Sequence, residues 1–246
     1  MMARIFLAMA IFLLLAAPAM AQSRDNVTVD LASDHVDITT GFNGTTLSLF
    51  GVRHGTGDVA VVVRGPSRTM SVRRKESILG AWMNRVFETY KDVPAYYNYA
   101  VSAPLEKLAP PDILRKNGIG TENLQFNKPN SKDENRILFR EALLRNKEKQ
   151  GLFAENPAEI KFISPVFFRA DFYIPANTPV GDFEIKAFYF SNGKIKDVKT
   201  RQVRVAQVGG AARIHMFARD KSFLYGLSCI FLAVFAGWFS NRVRRG

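Results

Sequence analysis

Arg53-His54-Gly55 is the first place in this chain where residue types and spacing suggest a reaction. A histidine ring can take a phosphoryl group as a nucleophile while a neighbouring guanidinium holds the phosphate oxygens. The tripeptide follows an apolar stretch, Thr45 to Phe50, that alternates like a strand. Asp34-His35-Val36-Asp37 is the second place. Two carboxylates and an imidazole within four residues could offer oxygen and nitrogen ligands to a cation.

Neither constellation is complete. A histidine-phosphatase-like hydrolase needs a helix after the Arg-His-Gly tripeptide and a second catalytic histidine downstream. Here Thr56-Gly57-Asp58 leads into another strand, and the only later histidine is His215, beside the C-terminal apolar run. A β-turn that contains an arginine and a histidine is the expected reading. Around His35, strand alternation puts His35 and Asp37 on one face and Val36 on the other. Two ligands do not make a metal site, so a solvated strand start is expected. No catalytic residue, cofactor or metal site is assigned, and the chain is not expected to be an enzyme.

A third constellation favours binding over reaction. Trp82, Phe87, Tyr90, Tyr96, Tyr97 and Tyr99 form a dense aromatic run, with Arg73-Arg74-Lys75 just before it. Aromatic rings with polar tips line many recognition surfaces. Alternation puts at most two of the three basic residues on one strand face. The candidate interaction patch is therefore Trp82, Tyr90, Tyr96, Tyr97 and Tyr99, with Arg73 and Lys75. The competing reading is core packing.

The elements that position these residues are mostly strands. Residues 27–31, 45–50 and 69–74 alternate apolar and polar, and 78–84 and 86–90 read as two more strands. Residues 58–63 are apolar on both faces, as in a central strand. Phe168, Ala170, Phe172 and Ile174 share one face of a later strand. A strand over 182–190 runs into Ser191-Asn192-Gly193, a hairpin signal, and 198–208 returns. Between these blocks, Ser131-Lys132-Asp133-Glu134 fits a capping box before a helix that stops at Gly151. Shorter helices are expected over 104–108 and 111–117, with Gly118 as terminator. The expected fold is mainly β: an immunoglobulin-like β-sandwich with a helical insertion at about 100–155, plus one C-terminal transmembrane α-helix.

The two ends fix the organisation. Arg4, the apolar run 5–17 and Ala19-Met20-Ala21 make a signal peptide over 1–21, with a mature start at Gln22. Residues 222–241 carry no charge and would rise about 30 Å as a helix, enough to cross a hydrocarbon core. The expected organisation is an exported domain over 22–217, a transmembrane helix over 218–241 and a basic tail over 242–246. Arg242, Arg244 and Arg245 favour a cytoplasmic tail, with the domain in the periplasm and the anchor in a bacterial inner membrane.

Composition agrees. The net charge is +12, but Arg4, Arg219, Lys221, Arg242, Arg244 and Arg245 all lie in or beside the apolar ends. Nucleic acid is an unexpected partner for an anchored exported domain, and membrane lipid is the plainer one. The only cysteine, Cys229, falls inside the apolar run. The domain thus has no disulfide, and thiol catalysis and Cys-based metal binding are excluded from it.

Asp58 to Pro66, Val72-Arg73-Arg74-Lys75, Gly80-Ala81-Trp82-Met83-Asn84, Val93 to Tyr97, Ser102 to Leu105, and Phe168 to Phe183 carry a resemblance in their order. With the leader and the single span, they resemble the alphaproteobacterial transmembrane proteins of the Alph_Pro_TM family, a family without an assigned activity. The resemblance implies an accessory working beside a TauE/SafE-type anion exporter. One span cannot build a pore, so the chain is expected to be a protein-interaction accessory of a multi-span transporter or envelope complex. The alternatives are a periplasmic solute- or anion-binding module and, behind it, the hydrolase built on Arg53 and His54.

Overall fold

The computed structural model describes residues 25–78, 81–127 and 133–244. The expected signal peptide lies outside them, as do Ser131 and Lys132 of the expected capping box. The described chain is mainly β, in several sheets, with a few helices and one C-terminal apolar helix.

Twelve strands run in chain order: β1 (Val27–Leu31), β2 (His35–Ile38), β3 (Thr45–Arg53), β4 (Asp58–Arg64), β5 (Ser67–Ile78), β6 (Ala81–Pro94), β7 (Tyr97–Val101), β8 (Ala158–Glu159), β9 (Lys161–Phe162), β10 (Phe167–Ile174), β11 (Gly181–Ser191) and β12 (Lys194–Gln207). One sheet has the order β1-β3-β10-β9, a second β2-β12-β11-β4-β7-β8, and β5 and β6 pair with each other in a third. Alternation explains which faces are covered. In β10, Phe168, Ala170, Phe172 and Ile174 are buried while Arg169, Asp171 and Tyr173 point outward. Each fully buried Phe stabilises the fold by about 1.5–3 kcal/mol. Val59 to Val63 in β4 are buried on both faces, as a strand between two covered surfaces requires. Both larger sheets feed one hydrophobic core.

The chain reverses where its sequence allows positive φ. Asn192 (φ 51°) and Gly193 (φ 70°) make the two-residue turn between β11 and β12. The N-terminal block is tied to the end of the last strand. β2 runs parallel to β12, from His35 opposite Arg204 to Ile38 opposite Gln207, and the Val208 N–H then donates to the Ile38 carbonyl at 3.0 Å.

The helical segment lies between β7 and β8. It holds α1 (Leu105–Leu108), α2 (Pro111–Asn117), a 3-10 turn (Thr121–Asn123) and α3 (Asp133–Lys149). Pro111 opens α2 and Gly118 ends it at φ 58°, both where the sequence puts them. Phe139, Leu143 and Leu144 bury one side of α3, while Ile137 and Leu138 stay exposed.

One expectation needs correction, and further elements were not expected. Of the two strands expected over 78–84 and 86–90, the residues from Ala81 onward form one strand, β6, paired with a lengthened β5 that includes Ile78, with register shifts at Arg68/Met70 and Arg74/Lys75. The short strands β8 and β9 carry too few residues to show alternation. Residues 218–221, placed with the anchor by the sequence, span a helix boundary. Gly210–Asp220 form a separate helix, α4, the chain breaks at Lys221 (φ −132°, ψ 50°), and the apolar helix α5 is Ser222–Arg244.

Candidate functional site

The apolar helix is the feature with the clearest physical consequence. Within α5, Ser222–Arg242 is long and apolar enough to cross a membrane, and none of it is buried against the rest of the chain. Phe223, Ile230, Phe231, Leu232, Val234 and Trp238 are each more than half exposed. A water-facing helix of this composition would be strongly disfavoured, whereas in lipid its backbone bonds are satisfied internally and its side chains meet hydrocarbon. Tyr225 and Trp238 stand towards its two ends, where rings with a polar tip prefer to sit. Arg242 and Arg244 continue the same helix as its last turn.

The tyrosines of the candidate patch lie elsewhere. Tyr90, Tyr96, Tyr97 and Tyr99 are all buried, none more than 5% exposed. These four rings belong to the core, which is the packing reading of that aromatic run. For Tyr97 the cause is the helical segment, whose Gly118, Gly120 and Phe153 pack over it. Register sets Tyr97 opposite Arg64 and Tyr99 opposite Val62. The Tyr97 ring packs on Phe153 and Tyr99, and its hydroxyl donates to the Gly118 carbonyl at 2.9 Å while accepting from the Gly120 N–H at 2.8 Å. Arg64 donates to the carbonyls of Asn117 (3.2 Å) and Gly118 (3.1 Å), where its charge also meets the negative end of α2. On the other face, Tyr96 packs on Phe183 and donates to the Tyr173 carbonyl at 2.7 Å. Burial pushes the hydroxyls of Tyr96, Tyr97 and Tyr99 above the ordinary phenol range. Tyr90 meets Phe126 edge-on at the base of the β5–β6 pair. Of the remaining patch residues, Arg73 is exposed, opposite Phe87, while Lys75 and Trp82 stand further along, opposite Asn84 and Ser77.

Arg53 is committed to the fold. It donates to the carbonyls of Pro165 (3.1 Å) and Gly57 (2.6 Å), and its guanidinium lies 4.1 Å from the centre of the Phe162 ring. His54 is exposed and is held through its backbone, its N–H donating to the Asn26 carbonyl at 2.8 Å. The pair therefore forms a turn clamp in which the guanidinium already has acceptors. His35 is exposed, with Nδ1 2.8 Å from an Asp34 carboxylate oxygen. That hydrogen bond raises the His35 pKa and lowers that of Asp34. Among the described residues, no group of three or more His, Cys, Asp or Glu side chains is placed to share a metal ion.

Two open clefts accompany these elements. One, of about 290 Å³, lies beside Arg64 and brings Asp92, Asp182 and Glu184 together. Each carboxylate already has a partner: Asp182 meets Arg204 at 3.1 Å, Glu184 meets Lys186 at 2.8 Å, and Asp92 accepts from the Asn127 amide. The other, of about 250 Å³, lies between β2 and β3 and includes His35 and Asp37.

The family model described as "Putative transmembrane protein (Alph_Pro_TM)" matches residues 26–245, which is nearly all of the chain. The chain belongs to the Alph_Pro_TM family. No curated protein matches it. The Alph_Pro_TM match runs through β1 to β12 and through α5, so the strands and the membrane helix are parts of one family unit. Sequence reasoning missed one structural residue and one helix of that unit. Arg64 reads as the polar end of a strand, and nothing nearby in sequence marks its partners at 117 and 118. The helix α4 was missed as well, although Ile214 and Phe217, three apart between polar residues, carry a short amphipathic signal.

Proposed function

We propose that this membrane-anchored protein works by contact, as an accessory of a multi-span membrane protein, and that it is not an enzyme. The observation that carries this reading is α5: among the described residues it is the one helix long and apolar enough to cross a bilayer, it is uncovered, and a single span builds no transport path by itself. We place the domain in the periplasm of a bacterial inner membrane with the tail in the cytoplasm. Arg242 and Arg244 at the end of α5, followed by Arg245, support that orientation through the positive-inside tendency, as does the leader sequence. We read the two larger sheets as an immunoglobulin-like sandwich, which their shared core supports. A TauE/SafE-type anion exporter is the partner class that the family resemblance brings forward. Solute or anion binding by the domain itself is less favoured. The cleft beside Arg64 converges carboxylates, and its guanidinium is taken by carbonyls.

The test is cross-linking in native membranes, then purification through a C-terminal tag and mass spectrometry. One stoichiometric multi-span protein is the expected recovery. Recovery of the chain alone, in a clean preparation, removes the accessory reading and turns attention to small ligands.

A further inference from the structure

The short helix α4 is the part of the chain that neither the anchor nor the β-domain explains. It follows β12 through Gly209, whose φ of 100° turns the chain at a conformation that side chains other than glycine rarely adopt. It ends one residue before α5, with only Lys221 between them. Ile214 and Phe217 are 59% and 39% exposed, on a helix with no strand packed over them among the described contacts. At 100° per residue, Ile214, Phe217 and Ala218 fall on one side, whereas His215 and Arg219 fall on the other. Phe217 meets the Tyr225 ring edge-on at 6.1 Å, so the apolar side of α4 leads into the first turns of the anchor.

Chain connectivity narrows what meets this apolar side. If α5 spans a bilayer, the C-terminal end of α4 lies within a residue of its surface, so the helix either lies along the headgroups or stands off them, and its residue pattern decides between the two. The segment 210–221 carries Arg213, Arg219 and Lys221 against a single acid, Asp220. Arg219 and Asp220 are paired at 3.2 Å, yet both remain largely exposed. An apolar stripe beside an excess of basic residues is the pattern of a helix lying in an anionic interface.

We propose that α4 lies in the headgroup region of an anionic leaflet, with Ile214 and Phe217 at the acyl boundary and Arg219 and Lys221 among the headgroups. The inference rests on the membrane reading of α5. It makes α4 a foot that sets how the β-domain stands over the bilayer, with Gly209 as the joint.

The experiment uses the full chain with Cys229→Ala, reconstituted in vesicles of phosphatidylcholine and phosphatidylglycerol. Single cysteines replace Ile214, His215, Ala218, Arg219 and, in mid-span, Leu232, and each carries a nitroxide. Collision with oxygen is compared with collision with a water-soluble nickel complex. Positions 214 and 218 are expected to favour oxygen several-fold over 215 and 219, with Leu232 favouring it most. In phosphatidylcholine alone, 214 and 218 are expected to move outward. Equal nickel access at all four α4 positions, with Leu232 still in lipid, overturns the interfacial helix and leaves the anchor standing. Nickel access at Leu232 as well overturns both. An unchanged depth without the anionic lipid overturns the role given to Arg219 and Lys221.

Discussion

The Tyr97 hydroxyl and the Gly118 carbonyl meet at 2.9 Å in the interior, and Arg64 reaches the same carbonyl at 3.1 Å. One oxygen thus joins the central strands β4 and β7 to the end of α2. Tyr97→Phe would leave the buried Gly120 N–H without its acceptor. An orphaned buried donor costs about 1–3 kcal/mol. A loss of that size is expected in denaturant unfolding of the full chain in detergent, and no loss would show the network to be dispensable.

The same burial gives a pH dependence. The Tyr96 and Tyr97 hydroxyls are held above the phenol range by desolvation, and an unfolded chain ionises its tyrosines near pH 10. Above that pH the unfolded state loses protons that the folded state keeps, so stability is whole below about pH 10 and falls as pH rises towards the folded values. Absorbance titration at 295 nm should show these two tyrosines ionising only as the fold is lost. Early, reversible ionisation of every tyrosine would contradict their burial.

Gly118 is expected to be sensitive to any side chain. A Cβ there would come within 2.0 Å of the Arg64 guanidinium, at a φ of 58°. Gly118→Ala should destabilise by about 1 kcal/mol or more, through the left-handed backbone and the displaced arginine together. The double variant with Arg64→Ala should lose less than the sum of the two single changes, because the second change removes the clash.

Arg53 and His54 separate a clamp from a reaction centre. Arg53→Ala removes two charge-assisted hydrogen bonds and a ring contact. A loss of about 1.5–3 kcal/mol is expected. His54→Ala, at an exposed turn, should change stability by less than about 0.5 kcal/mol. Phosphate-ester turnover by the wild type that disappears in His54→Ala would restore the hydrolase reading.

Cys229 reports on the anchor without any substitution. It lies seven residues into α5, about 10 Å along the helix from Ser222. In intact membranes it should resist a membrane-impermeant maleimide and react after detergent is added. Rapid labelling of intact membranes would show that α5 is not in lipid.

What was legible in the sequence was what local pattern controls. The face shared by Phe168, Ala170, Phe172 and Ile174, the Asn192-Gly193 turn, the stop at Gly118 and the apolar run of α5 all follow from spacing and residue type. The tyrosines show where such reasoning ends. Their type suits a core and a contact surface equally, and only distant packing decides between the two: the helical segment over Tyr97, and Phe183 with Tyr173 around Tyr96. Arg64 depends on carbonyls more than fifty residues away, and β2 on a parallel neighbour near the other end of the domain. Neither long-range pairing leaves a local trace. The break at Lys221 was hidden because Arg219, Asp220 and Lys221 read in sequence as the polar flank of the apolar run, not as the end of a separate helix.

The pairing of β12 with both β11 and β2 has a mechanical consequence. Any tug between a partner on the domain and the bilayer passes through α5, α4 and Gly209 into the end of β12. There the load falls along a strand held on one side by the long antiparallel ladder to β11 and on the other by the parallel ladder to β2. A pull along that axis strains many hydrogen bonds in shear at once, instead of unzipping them singly. The tether thus enters the domain at a joint suited to carrying tension.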